Sequence, residues 1–219
     1  MPAQKRPAHR IKQDRARETY DRLVAAAFEL LEDRELEDIT IAELARAAGY
    51  SVGAFYARFT SKDEFFEALI ADHIVYRTQR RTELFATLRD DELIDRLIED
   101  LVTYFWRRRH FWRAALKRSI RDPDFWEPLR KLGRELADAL IARIESRRGR
   151  PLTQQQTGNV GFAVQITLGT INNAIFNRPG PMFIGQTEFV ANLARAFRLV
   201  SDFDRLTGIA AKAAPTTRR

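Results

Sequence analysis

Apolar residues recur at three- and four-residue intervals along nearly the whole chain. Tyr20, Leu23, Val24, Ala27, Phe28 and Leu31 form one such stripe, which predicts an amphipathic helix over 15–33. The polar run Asp33 to Asp38 interrupts it. Thr40 then precedes Ile41, with Glu43 three residues on, a capping box that opens a short helix bearing Ile41, Leu44, Ala45 and Ala48. Gly49 suits the left-handed position just past its end. Ser51 is placed to cap a second short helix, 52–59, with Val52, Phe55, Tyr56 and Phe59 at helical spacing. Ser61 and Glu64 make another capping box, opening a longer helix over 62–88 with acids in its first turn.

The same period continues behind. Leu93, Ile94, Leu97, Leu101, Val102 and Phe105 mark a helix ending near Arg109, and Phe111 to Ile120 is a shorter one. Asp122-Pro123 breaks the chain. Leu132, Leu136, Ala139, Leu140 and Ile144 carry the next helix, 129–147, and Gly149-Arg150-Pro151 closes it. Residues 153–176 and 186–206 form a last helix pair, separated by Asn177-Arg178-Pro179-Gly180-Pro181. No alternating stretch long enough for a strand interrupts this. The expected fold class is all-α. It comprises a basic, flexible arm (1–14), a three-helix helix-turn-helix unit (15–62), the connecting helix 62–88, a larger helical bundle within 63–206, and a frayed tail (207–219).

Composition narrows the chemistry. The chain has 219 residues, 45% hydrophobic and 31% charged, enough to bury a core without staples. It has no cysteine, so disulfides, thiolate metal sites and a cysteine nucleophile are excluded. Its three histidines, His9, His73 and His110, are not at metal-ligand spacing. There is no phosphate-binding glycine loop after a strand, no Gly-x-Ser-x-Gly elbow and no His-Glu-x-x-His, so no enzyme, metal or cofactor is expected. No apolar run approaches the ~20 residues of a membrane span, and the basic N-terminus lacks the apolar core of a signal peptide. The expectation is a soluble cytoplasmic protein.

The net charge of +7, with a pI near 10.0, changes the picture by where it sits. Lys5, Arg6, Arg10, Lys12, Arg15 and Arg17 face a single acid, Asp14, on the arm. A second basic cluster, Arg107 to Arg121, is interleaved with aromatics. Either is a solvated surface when taken alone, and either suits a polyanion.

Two short helices joined by Gly49-Tyr50 and flanked by longer ones have the dimensions of a helix-turn-helix. The second must be slim enough to enter a major groove about 12 Å wide. Gly53 and Ala54 permit close approach, and Gly53 costs about 1 kcal/mol relative to Ala in a helix, which an ordinary core hairpin does not require. Ser51, Tyr56 and Arg58 offer hydrogen bonds to phosphates or base edges, and Lys62 stands at the start of the next helix to grip a phosphate. Phe55 and Phe59 are read as core.

The stretch from Thr40 to Phe65, with Thr40, Gly49, Gly53, Tyr56, Phe59 and Lys62 at matching spacings, resembles the DNA-binding domain of TetR-family transcriptional regulators. The motif resemblance covers about residues 15–70; the remainder is similar in architecture. It implies that Thr40, Tyr56 and Lys62 contact phosphates and that Tyr50, Ser51, Val52, Gly53, Ala54 and Arg58 line the groove. Val52 and Ala54 depart from the polar or basic residues of many members, so thymine methyl contacts and DNA shape take a larger share of the base code. It also gives the arm from Lys5 to Arg17 a role along phosphates or in a minor groove.

The resemblance implies a homodimer on a double-stranded, palindromic operator and a repressor released by a small-molecule effector. Doubling by two-fold symmetry also answers the few bases one short helix reads. Gly158, Gly161, Gln165, Gly169 and Asn172 form a stripe open to a neighbouring backbone, and Phe189, Leu193, Phe197 and Val200 lie on the facing helix; these are the expected dimer seam. An apolar or aromatic effector is expected against Phe105, Trp106, Phe111, Trp112 and Trp126, with His73 and Gln165 as polar contacts. A helical small-molecule-binding protein of the same fold that does not act on DNA is the alternative.

Overall fold

The computed structural model describes residues 8–209, with side chains from Asp14 onward. The described residues contain ten α-helices and two 3₁₀ turns and no strand. They are α1 (Ala8–Leu30), α2 (Ile41–Ala47), α3 (Val52–Tyr56), α4 (Lys62–Thr87), α5 (Asp90–Arg107), α6 (Arg109–Arg121), α7 (Glu127–Arg148), α8 (Gln154–Phe176), α9 (Thr187–Ser201) and α10 (Phe203–Thr207). The 3₁₀ turns are Leu36–Asp38 and Pro123–Trp126.

The chain packs into two compact units. The front unit holds the residues up to His73 together with Arg108–Ala114, and the rear unit holds Ile74–Arg107 and the residues from Ala115. Residues 63–73 and 108–114, which the periodicity left with the rear bundle, thus pack with the front helices; α4 and α6 each have residues in both units.

In the front unit, Leu23 and Ala27 of α1 and Leu31 just past its end are buried, as are Leu44 and Ala45 of α2 and Phe65, Phe66 and Leu69 of α4. Phe55 is 0% exposed and joins Phe59 and Phe65 in an aromatic cluster, with ring centroids 4.9–5.4 Å apart. This cluster fixes the short α3, which has too few residues to stand alone. α1 begins at Ala8 rather than at residue 15, because no breaker separates Ala8 from Asp14. Residues 8–14 of the expected arm are thus helical; residues 1–7 and the side chains before Asp14, including Lys5, Arg6, Arg10 and Lys12, lie outside the described residues.

In the rear unit α8 packs against α7 and α9, and α5 against α9. Leu140, Ile144, Val160, Ile171 and Phe203 are fully buried there. Arg143 of α7 finishes the end of α4. Its guanidinium donates to the carbonyls of Phe85 (2.6 Å) and Leu88 (2.5 Å) and to Asp90 (2.6 Å), supplying the partners that terminal helix carbonyls lack. Gly149, at φ +65°, ends α7, and Thr153 with Gln156 forms a reciprocal capping box on α8.

The last helix is not continuous over 186–206. Asp202 takes a left-handed conformation (φ +56°) and splits it into α9 and α10. The kink turns Phe203 and Leu206 inward, where they are 0% and 4% exposed. Of the expected tail, Thr207 ends α10, and residues 210–219 lie outside the described residues.

Candidate nucleic-acid interface

Local chemistry sets the two short helices. The Thr40 hydroxyl accepts from the Glu43 amide (3.2 Å), while the Glu43 carboxylate takes the Thr40 amide and hydroxyl at 2.8 Å each. Those bonds, with Arg34 at 3.2 Å, hold the Glu43 carboxyl down at about 2. α2 ends in a Schellman turn: Gly49 sits at φ +78°, its amide donates to Arg46, and the Tyr50 amide donates to Ala45 at 2.8 Å. Ser51 then caps α3, its hydroxyl accepting from the Ala54 amide at 3.2 Å.

The predicted 52–59 helix is shorter than expected. Only Val52–Tyr56 is α-helical, and Ala57–Arg58 close it in a turn that delivers Phe59 to the core. The outcome is a blunt tip. Ser51, Val52 and Gly53 are exposed, Ala54 half-buried, and Tyr56 54% exposed, while Phe55 points inward. A Cβ built on Gly53 would meet nothing closer than the Ser51 hydroxyl at 3.7 Å, so no neighbour in this chain demands a glycine there. Thr40 is exposed, and Tyr50 and Arg58 are half-buried.

The start of α4 departs from the expected capping box. Ser61 caps it, accepting from the Glu64 amide at 3.1 Å, but the Glu64 carboxylate reaches back to Thr60, taking its amide and hydroxyl at 2.6 Å each. Thr60 offers two donors and outcompetes the Ser61 amide, and both bonds lower the Glu64 carboxyl.

Lys62, expected at a phosphate, is engaged within the chain. Its ammonium donates to the carbonyl of Leu36, with Glu37 O at 3.5 Å. Burial pushes this ammonium's pKa down, opposed by Glu37 and Asp38. Lys62 therefore braces the connector that leads into α2. Arg34 braces it as well, pairing with Glu43 and donating to Asp38 O. So do Glu35 with His110 and Arg113, and Arg109 with Asp33. The sequence marked Arg109 and Arg113 only as part of a basic cluster and gave Arg34, Glu35 and His110 no such role; the signal was the density of opposite charges in Asp33–Asp38 and Arg107–Arg113.

Residues 23–69 match the bacterial regulatory proteins of the tetR family. This segment of the chain is thus similar to the DNA-binding segment of that family. It is 34% identical over 94 residues to the HTH-type transcriptional regulator YwcC of Bacillus subtilis (strain 168), a match covering 40% of this chain and 42% of YwcC. The matched stretch is thus less than half the length of that curated relative. A TetR transcriptional regulator of Rhodococcus sp. RHA1 shares the fold with a TM-score of 0.52 at 21% identity, over 85% of this chain and 97% of that one. RolR, solved with the ligand resorcinol, shares it with a TM-score of 0.56 at 20% identity, over 93% and 98%. The TetR-family segment takes in the tip and its braces, Thr40 to Lys62.

Of the residues expected at an effector site, the structure brings His73, Phe111 and Trp112 together in the front unit. The His73 ring lies 4.8 Å from Trp112 and 5.9 Å from Phe111, and all three are at most 2% exposed. They are packed front-unit core. Phe105, Trp106 and Trp126 belong to the rear unit, where Gly185 passes against the Trp106 indole. Gln165 is exposed on α8.

The expected seam divides too. Gly158, Gln165 and Gly169 are exposed, Gly161 and Asn172 half-buried, and a Cβ on any of the three glycines would meet nothing within 4 Å. Phe162 and Phe176, exposed by 54% and 42%, share that side of α8. Phe189, Leu193 and Phe197 are instead buried in their own chain, because α9 packs them against α5 and α8; Val200 is half-buried. No helix is long and apolar enough to cross a membrane, and no cluster of three metal-ligating side chains occurs, among the described residues.

Proposed function

We propose that the protein is a ligand-responsive repressor that binds a palindromic DNA operator as a homodimer, with α3 as the reading helix. The observation that carries this is the tip at 51–54: exposed at Ser51, Val52 and Gly53, slim, and held on the Phe55–Phe59–Phe65 cluster, with a glycine no internal neighbour requires. Close approach of another molecule's surface is what such a glycine allows. Ser51, Val52, Gly53 and Ala54 enter the major groove. Tyr50, Tyr56 and Arg58 flank it with hydrogen-bond donors, and Thr40 lies toward a phosphate at the start of α2. Lys62 acts mainly by bracing.

Two copies double a short reading surface, and the α8 side bearing Gly158, Gly161, Phe162, Gly169 and Phe176 supports the pairing. Exposed aromatics beside open glycines suit a close helix–helix contact better than a solvated face. RolR carries resorcinol, and this chain also concentrates aromatics in its rear unit, Phe105, Trp106, Phe125 and Trp126; both support a flat, largely apolar effector. Effector binding shifts the population of reading-head separations away from the one that fits the operator.

Selection of bound duplexes from a random pool, with and without metabolite extracts, tests this. An inverted repeat with half-sites about one helical turn apart, or a multiple of that, is expected, and release by an extract fraction. Failure to enrich any duplex overturns the DNA reading.

A further inference from the structure

We infer that Val52 is a specificity-determining residue that reads the methyl group of one thymine in each half-site. The inference rests on α3 being the reading helix and adds the base class it recognises. Within the first turn of α3 the side chains at 52, 53 and 54 are an isopropyl group, a hydrogen and a methyl group. None can donate or accept a hydrogen bond. The polar side chain next to them in the chain is partly committed: the Ser51 hydroxyl accepts from the Ala54 amide. Tyr56 and Arg58 lie one turn or more further along the chain.

Among the features a base pair shows in the major groove, the thymine C5-methyl is the one an apolar side chain recognises; all the others are donors or acceptors. Val52 is the side chain built for it. It is 40% exposed at the tip, whereas the other large apolar residue of α3, Phe55, is fully buried. A Cβ built on the adjacent Gly53 would meet only the Ser51 hydroxyl, at 3.7 Å, and the glycine itself carries no side chain to hold the helix away from the base edges. An exposed valine gains by covering a methyl group, and a pyrimidine that lacks the methyl leaves it in water.

The experiment replaces each thymine of a selected operator, one at a time, by deoxyuridine, which lacks only the methyl. Wild-type protein is expected to lose about fourfold in affinity at one thymine per half-site, the value for burying roughly one methyl group. Val52→Ala is expected to bind thymine and deoxyuridine there alike, and Val52→Thr, which keeps a methyl, to retain part of the discrimination. 5-Methylcytosine placed at that position is expected to recover part of the affinity that cytosine loses. Indifference to every deoxyuridine, or a sensitive position unchanged in Val52→Ala, overturns the inference while leaving DNA binding intact. A protein that enriches no duplex at all overturns the DNA reading, and this inference with it.

Discussion

The imidazole Nδ1 of His110 lies 3.0 Å from the Glu35 carboxylate, and the Arg113 guanidinium approaches the same oxygen at 3.3 Å. The contact ties the first turns of α6 to the connector between α1 and α2. The next residue of that connector, Leu36, offers its carbonyl to Lys62, and Arg34 holds the stretch to Glu43. The entry to the helix-turn-helix is therefore fixed from three sides by cationic or imidazole groups.

Glu35→Ala removes the carboxylate that lies in hydrogen-bond reach of His110 and pairs electrostatically with Arg113, both half-buried. The front unit is expected to lose about 1–2 kcal/mol, the range for a partly buried charge-assisted contact. Denaturant unfolding measures this, and hydrogen exchange should place the loosening at the amides of 35–48. Glu35→Gln keeps an acceptor and should recover part of the loss. An unchanged unfolding midpoint in Glu35→Ala shows that the contact adds nothing to the unit.

The Glu43 carboxyl, held at about 2 against an ordinary 4.5, gives the front unit an acid-sensitive part. A carboxyl lowered in the folded state contributes stability that is fully present above pH 4.5 and is lost as the pH falls through about 2. Unfolding free energies measured across this window should fall less steeply in Glu43→Gln than in the parent. Equal slopes would show that the capping box persists in the unfolded chain or never forms.

Much of this was legible beforehand, and the reason is locality. Thr40–Glu43, Gly49 and Ser51 act within four residues of themselves, so spacing alone located α2, its end and the start of α3. The helical period located the buried Leu23, Leu44, Phe55 and Phe59 for the same reason. The role of Lys62 was not legible, because its partner lies 26 residues away at a backbone carbonyl, which leaves no mark on composition. The same holds for Glu35 with His110, 75 residues apart. His73, Phe111 and Trp112 are ambiguous in another way. Aromatics near a histidine suit an effector site and a packed core equally well, and the structure buries all three in the front unit. The split at Asp202 stayed hidden because Phe203 and Leu206 fit the helical period on both sides of the kink.

Lys62 separates bracing from phosphate binding. Lys62→Met removes the donor to Leu36 O and is expected to cost about 1–3 kcal/mol in stability. The affinity for an operator measured well below the melting transition should fall with an unchanged salt dependence. If the ammonium instead leaves Leu36 to grip a phosphate, stability holds and the slope of log affinity against log salt drops by about 1.

Phe162→Glu tests the α8 surface. The side chain is 54% exposed, so the fold of the single chain should tolerate a carboxylate there, with the circular dichroism spectrum unchanged. In a pair related by two-fold symmetry, the substitution sets two negative charges against each other in an apolar contact, which costs several kcal/mol. Sedimentation should then report a monomer. Affinity for the two-site operator should fall about 100-fold or more, since neither copy raises the local concentration of the other, while affinity for an isolated half-site stays as it was. An unchanged sedimentation coefficient would place the seam elsewhere and leave the open glycines of α8 without a partner.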